Sequence, residues 1–249
     1  MSPVARLRFT VAAVAIAVIV AAPSAHAQVD LAWNNCLGVG NHAEVKQYAC
    51  DGSLDGLYQK LVMSFVLPRT FTGFEGTLAT LEFRSPSGTL PDYWRFDGHG
   101  CRPGVVSFTP TQGGIGDPVS CAYSLAGVSS TSWIGAVPVN GVGQDFIRFE
   151  AAVRVGNAPP IVLEGGRTYS AGIVLIDPVS ADCAGCEQDM CIRLLSVEIL
   201  YIEPGGIPPV ILSGPAHRDY VSWQGPPGIC AGATPVRDRT WGSVKALYR

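Results

Sequence analysis

The stretch CAGCEQDMC, residues 183–191, places three cysteines within nine positions. Thiolates so close could hold a metal, run a redox cycle or close disulfides. The order C-x2-C-x4-C is not the C-x4-C-x2-C of plant-type ferredoxins. A structural zinc site would show a second C-x2-C knuckle, and Cys230 is the distant thiol that could complete a set of four. A redox C-x-x-C wants its first thiol at a helix start, where the dipole stabilises the thiolate. Here the motif sits between two strand-like runs, beside Asp182, Glu187 and Asp189, and negative neighbours raise a thiol pKa.

Eight cysteines occur: Cys36, Cys50, Cys101, Cys121, Cys183, Cys186, Cys191 and Cys230. An even number in an exported chain reads first as a disulfide framework. Short loops favour the neighbour pairs Cys36–Cys50 and Cys101–Cys121. Two further bonds are then expected among Cys183, Cys186, Cys191 and Cys230. No metal and no cofactor is expected.

Two other stretches carry polar chemistry. DGSLDG, residues 51–56, starts like a calcium loop, with Asp51, Ser53, Asp55 and Gly56 in place. The twelfth position should bring a bidentate carboxylate, but it is Val62, so an Asp-Gly turn beside Cys50 is the better reading. LPDYWRFDGHGC carries Tyr93, Trp94, Phe96 and His99, flanked by Asp92, Arg95 and Asp97. Exposed rings there could stack on sugars while Asp92 and Arg95 take hydroxyls; buried rings would be core. Tyr93, Trp94, Asp92 and Arg95 are therefore the candidate ligand-binding set. Trp33, Trp133 and Trp223 share the same ambiguity, and LAWNNC reads as a first strand with Trp33 turned inward.

Catalytic patterns are missing. There is no HExxH, no G-x-S-x-G elbow and no P-loop. Beyond the first 27 residues only His42, His99 and His217 remain. A dispersed triad or a carboxylate pair is spatial and leaves no linear signature. No catalytic residue is assigned, and a non-enzyme is expected.

Such side chains need elements to position them, and the dominant signal is period-two alternation. DFIRFEAAVRV sets Ile147, Phe149, Ala151, Val153 and Val155 on one face, against Arg148, Glu150, Ala152 and Arg154. That pattern predicts a half-buried antiparallel strand. GTLATLEFRS opposes Ala79, Leu81 and Phe83 to Thr80 and Glu82. RTYSAGIVLID aligns Tyr169, Ala171, Ile173 and Leu175, and CIRLLSVEILYIEP aligns Leu195, Val197, Ile199 and Tyr201 against Ser196 and Glu198. Glu82, Glu150 and Glu198 thus read as solvent-facing. QKLVMSFVLP, GVVSFTP, SWIGAVPV and PVILSG read as further strands. Turn-rich links such as SPSGTLPD, TQGGIGDP and EPGGIPP separate them. Eight to ten strands predict an all-β antiparallel β-sandwich, immunoglobulin-like or jelly-roll, braced by disulfides; a barrel is the alternative. Strands at 166–177 and 191–203 are expected to form a hairpin whose tip the sulfurs pin.

The chain opens MSPVARLRFT, continues apolar to about Ala22 and reaches PSAHA, the pattern of a signal peptide cleaved after Ala27. Its apolar run is short of the roughly 20 residues of a membrane span, and no later stretch is long enough. The expected organisation is a signal peptide at 1–27, one β-sandwich domain at 28–230, and a C-terminal loop and tail at 231–249. In the tail TWGSVKALYR, Thr240 could cap a short helix with Trp241, Val244 and Tyr248 on one face, or the segment could be a sorting tag. Loss of Arg6 and Arg8 with the leader takes the formal charge from −3 to −5, and only three lysines occur. No basic stripe suggests nucleic acid. The chain therefore reads as an exported, non-catalytic protein, secreted, periplasmic or on the cell surface, with a structural or interaction role. A surface glycan or another envelope protein is the expected kind of partner. A carbohydrate-binding module and a hydrolase on a β scaffold are the alternatives.

Overall fold

Alternation becomes two sheets. The computed structural model describes residues 28–36, 42–51, 58–98, 100–109, 130–136, 144–155, 161–177, 183–202, 210–213, 219–226 and 228–230. The expected signal peptide, residues 52–57 of the calcium-like loop, His99, Cys121, His217 and the tail lie outside these residues, as does the side chain of Trp133.

Twelve strands run through the described residues, more than the eight to ten expected. They are β1 (Gln28–Trp33), β2 (Val45–Lys46), β3 (Gln59–Val66), β4 (Phe71–Arg84), β5 (Val106–Thr109), β6 (Ser130–Ala136), β7 (Phe146–Val155), β8 (Ile161–Leu163), β9 (Thr168–Ile176), β10 (Met190–Tyr201), β11 (Val210–Leu212) and β12 (Tyr220–Trp223). The smaller sheet has the order β1-β3-β9-β5, and the larger has β2-β12-β10-β4-β7-β6, with β11 added to β10 and β8 to β4. Every pair is antiparallel except β12 with β2. β5 runs close to β6, and β1 close to β12, so the layers approach each other along both sides. This is the antiparallel β-sandwich that the alternation predicts.

One core fills the space between the sheets. Leu31, Leu61, Met63, Phe65 and Val174 from the smaller sheet meet Leu81, Phe83, Ile192, Leu194, Val197 and Ile199 from the larger. Burying each such Leu or Phe contributes roughly 1.5–3 kcal/mol relative to leaving it in water. The inward set of β7, Ile147, Phe149, Ala151 and Val153, is buried as read.

Two strands depart from strict alternation. In β9, Met63 pairs with Gly172 and Ser64 with Ser170, so Ala171 is an extra, unpaired residue. This bulge inverts the phase. Tyr169, Ala171, Val174 and Ile176 face the main core, whereas Ile173 and Leu175 join Cys36 and Val62 on the other face. In β10 the register shifts between Leu194 and Ser196. Leu195 is the extra residue and stays half-buried, and Ile192 and Leu194 take the inward places before Val197 resumes the pattern.

The expected hairpin of residues 166–177 with 191–203 does not form. β9 belongs to the smaller sheet and β10 to the larger. The cysteine segment is therefore a crossover between layers, not the tip of a ribbon.

Candidate functional site

The cysteine-rich crossover is a covalent hub. Cys50 bonds Cys186, Cys101 bonds Cys183 and Cys191 bonds Cys230, across sequence separations of 136, 82 and 39. Cys36 is disulfide-bonded too, to a partner outside the described residues, and no described cysteine is free. Both neighbour pairings expected from loop length are thus wrong. Cys36–Cys50 and Cys101–Cys121 would close short loops, but the fold brings Cys50 and Cys101 to the crossover instead. Only Cys191–Cys230 lies within the last four cysteines. Bridges of this reach fit a protein that matures outside a reducing compartment. Among the described residues no three His, Cys, Asp or Glu side chains are grouped to hold a metal, and no helix is long and apolar enough to cross a membrane.

The expected aromatic platform is core. Asp92–Trp94 forms a 3-10 turn after Pro91. Tyr93 and Trp94 are both 0% exposed. The segment is held by Tyr93 N–H donating to Ala184 O at 3.0 Å and by the Cys101–Cys183 bridge. It folds over the aromatic centre: Trp94 meets Trp223 edge-on at 5.2 Å and lies 5.9 Å from Phe83. Trp223 Nε1 donates to Cys186 O at 2.7 Å and Trp33 Nε1 to Ser222 O at 3.0 Å. Arg102, almost fully buried, lies 3.8 Å over the Tyr93 ring and donates to the carbonyls of Tyr93 and Asp177. Burial pushes its guanidinium pKa down, partly offset by Tyr93 and Asp177. Of the candidate set, Asp92 is exposed and Arg95 half-buried, paired with Asp97 at 3.2 Å. Two surface charges without an exposed ring cannot stack a sugar, so the four residues are not a sugar platform.

The outward face of the larger sheet holds what remains. Arg193 of β10, Glu82 of β4 and Arg148 of β7 stand side by side in register. Alternation predicts a solvent-facing Glu82. It does point outward, but it is only 2% exposed. Arg84 Nε donates to its Oε1 at 2.9 Å, and Arg148 donates to its Oε2 from Nη2 at 2.6 Å and Nε at 2.7 Å. Burial alone would raise the Glu82 pKa, but the hydrogen bonds and charges of Arg84 and Arg148 win and hold it below the usual value. Arg84 also pairs with Asp145, and Arg193 with Asp219 at 3.4 Å. Both Arg84 and Arg148 lie 4.8 Å from the Phe146 ring centre. Glu82, Asp145 and Asp219 are thus each paired with an arginine, and the pairs tie β4 to β7 and brace β10 on this face.

Farther along this face, β11, β10, β4 and β8 lie side by side. Val162, Ile202 and Ile211 project there, 54%, 66% and 62% exposed. Ile202 hydrogen-bonds to Gly73 O of β4 at 2.9 Å. Val162 reaches the other edge of β4 between Leu163, opposite Phe71, and Ile161, opposite Phe74. Ile211 is in register with Glu198, which pairs with Leu78. Isolated exposed aliphatics are ordinary, whereas here three stand on one face of adjoining strands, Val162 and Ile202 flanking the Gly73 end of β4 and Ile211 level with Leu78. The alternation in PVILSG marks a strand but not that its central residue, Ile211, is left uncovered. The echo between PPIVL at 159–163 and PPVIL at 208–212 is the signal that could have shown it.

A shallow hollow of about 570 Å³ lies beside the hub, lined by Pro86, Ser87, Glu187, Gln188 and Asp189. It holds no histidine, and Ser87 Oγ is hydrogen-bonded to Ser85 Oγ at 2.8 Å. His42, the described histidine of the three, is half-buried next to the Trp33–Ala43 bridge.

No protein-family model matches the chain, and no curated protein matches it. Among solved structures it is similar to a cohesin module from the family 33 glycoside hydrolase of Clostridium perfringens ATCC13124. That similarity has 7% identity and a TM-score of 0.32, over 79% of this chain and 92% of the other.

Proposed function

We propose that the chain is an exported, non-catalytic β-sandwich module that binds another protein through the outward face of its larger sheet. The observation that carries this reading is the exposed group Val162, Ile202 and Ile211. These side chains are aliphatic, whereas Trp33, Trp94 and Trp223 are wholly buried. A sugar partner would call for exposed rings; a protein partner can cover aliphatic side chains with its own apolar patch. The neighbouring lattice of Glu82, Arg84 and Arg148 keeps the sheet stiff, so little ordering is left for the moment of binding.

The test is site-specific photocrosslinking in the native host. A photoreactive residue is placed at Ile202 or Ile211, and as a control at Glu187, which is exposed beside the cysteine hub. A discrete protein adduct from positions 202 and 211 alone supports the reading. No adduct, or the same products from all three positions, refutes it.

A further inference from the structure

The bridges carry an inference about how the protein matures, independent of what its sheet face binds. We propose that the chain reaches its native pairing through thiol–disulfide exchange, and is therefore a client of an exported exchange catalyst of the C-x-x-C dithiol kind. Cys36 and Cys50 are 14 positions apart, and Cys101 and Cys121 are 20 apart. The native partners of Cys50 and Cys101 lie 136 and 82 positions away. Closing probability in an unfolded chain falls as the three-halves power of loop length. Cys36 therefore outcompetes Cys186 for Cys50 by about 30-fold, and Cys121 outcompetes Cys183 for Cys101 by about 8-fold.

Order of emergence works in the same direction. In a chain threaded N-terminus first, Cys36, Cys50, Cys101 and Cys121 all arrive before the 183–191 crossover. Both native acceptors lie in that crossover, so an oxidant acting during export meets the wrong partners first. The folded chain nevertheless has Cys50 on Cys186, and Cys101 on Cys183.

Correction is electron-neutral. The catalyst thiolate attacks the Cys50 sulfur of a Cys36–Cys50 bond, forming a mixed disulfide and releasing the Cys36 thiolate. The Cys186 thiolate then attacks the same Cys50 sulfur, forming Cys50–Cys186 and returning the catalyst thiolate. The same two displacements move Cys101 from Cys121 to Cys183. Thiols still unpaired are closed by oxidised glutathione or a protein disulfide, which takes up the two electrons and two protons of each bond formed and becomes two thiols.

The experiment is oxidation of the reduced chain, residues 28–249, in native buffer, read by peptide mapping. One arm uses a non-thiol oxidant at about pH 4, where exchange is frozen because thiols are protonated. The second incubates that product with a glutathione redox couple at about pH 8, with and without a purified C-x-x-C isomerase. The first arm is expected to yield mainly Cys36–Cys50 and Cys101–Cys121. The second converts these to the native pairs, at least about 10-fold faster with the isomerase. Predominantly native pairs in the first arm, or conversion that the isomerase does not accelerate, overturns the proposal. A Cys36→Ser, Cys121→Ser double variant supplies a readout that does not depend on complete folding. With the local competitors gone, Cys50–Cys186 must rise severalfold in the exchange-free arm, and an unchanged yield refutes local competition as the obstacle.

Discussion

Replacing Glu82 with Gln tests whether the arginine lattice holds the larger sheet as described. The substitution keeps shape and removes charge, leaving Arg84 and Arg148 facing a neutral amide. Glu82 is 2% exposed, but the side chains of Arg84 and Arg148 are 24% and 35% exposed, so water screens part of the loss. Hydrogen bonds to charged groups contribute about 1.5–3 kcal/mol each when well buried. With screening, the whole change is expected to cost about 2 kcal/mol at pH 7. The sign with pH follows from a carboxyl held below its ordinary value. Its stabilisation is complete above the unfolded-state pKa, about 4.3, and is lost as pH falls from there through the folded value. Urea unfolding at a series of pH values measures the gap between wild type and Glu82→Gln. The gap should be near 2 kcal/mol at pH 7 and shrink steadily below about pH 4.3, as wild type itself becomes neutral at this position. A gap of the same size at pH 3 and pH 7 would refute the ion-pair reasoning, since only packing would then separate the two proteins.

Other outcomes are expected. The Cys101→Ser, Cys183→Ser double variant should lose about 4 kcal/mol, from release of an 82-residue closure; tryptophan emission should shift red and become open to quenchers as the segment carrying Trp94 lifts from Trp223, and unchanged emission would argue against that cover. Gly172→Ala should destabilise by about 1–3 kcal/mol, because Gly172 has φ +127° and an added Cβ would run into the Phe108 ring; thermal unfolding checks it. Ile202→Asp combined with Ile211→Asp should leave stability within about 0.5 kcal/mol, since both side chains are more than half exposed, while abolishing the adduct from a crosslinker at position 162.

Much of the fold is legible in the sequence because a half-buried strand writes its burial at every second residue. β7 and the 79–83 stretch of β4 could be assigned side chain by side chain. β9 and β10 could not be followed beyond their bulges. One unpaired residue, Ala171 or Leu195, inverts the pattern, and both its flanks remain apolar. Which sheet a strand joins is equally silent, so two adjacent strands read as a hairpin although they lie in opposite layers. Loop length governs pairing in an unfolded chain but not in a folded one, which is why the neighbour cysteine pairs misled. The DYWRF aromatics illustrate the same limit: composition shows that rings are present, and only the burial of Tyr93, Trp94 and Phe96 in the fold shows that they face inward. Glu82 looked exposed because alternation reports direction, not depth; the arginines that seal it come from its own strand and from a strand 66 positions away.

The 183–191 crossover is a covalent hub joining distant segments, and non-reducing peptide mapping of the native protein tests this most directly. The structure predicts Cys50–Cys186, Cys101–Cys183 and Cys191–Cys230, with Cys36 in a fourth bridge. Recovery of Cys36–Cys50 or Cys101–Cys121 from protein purified in its native state would contradict it.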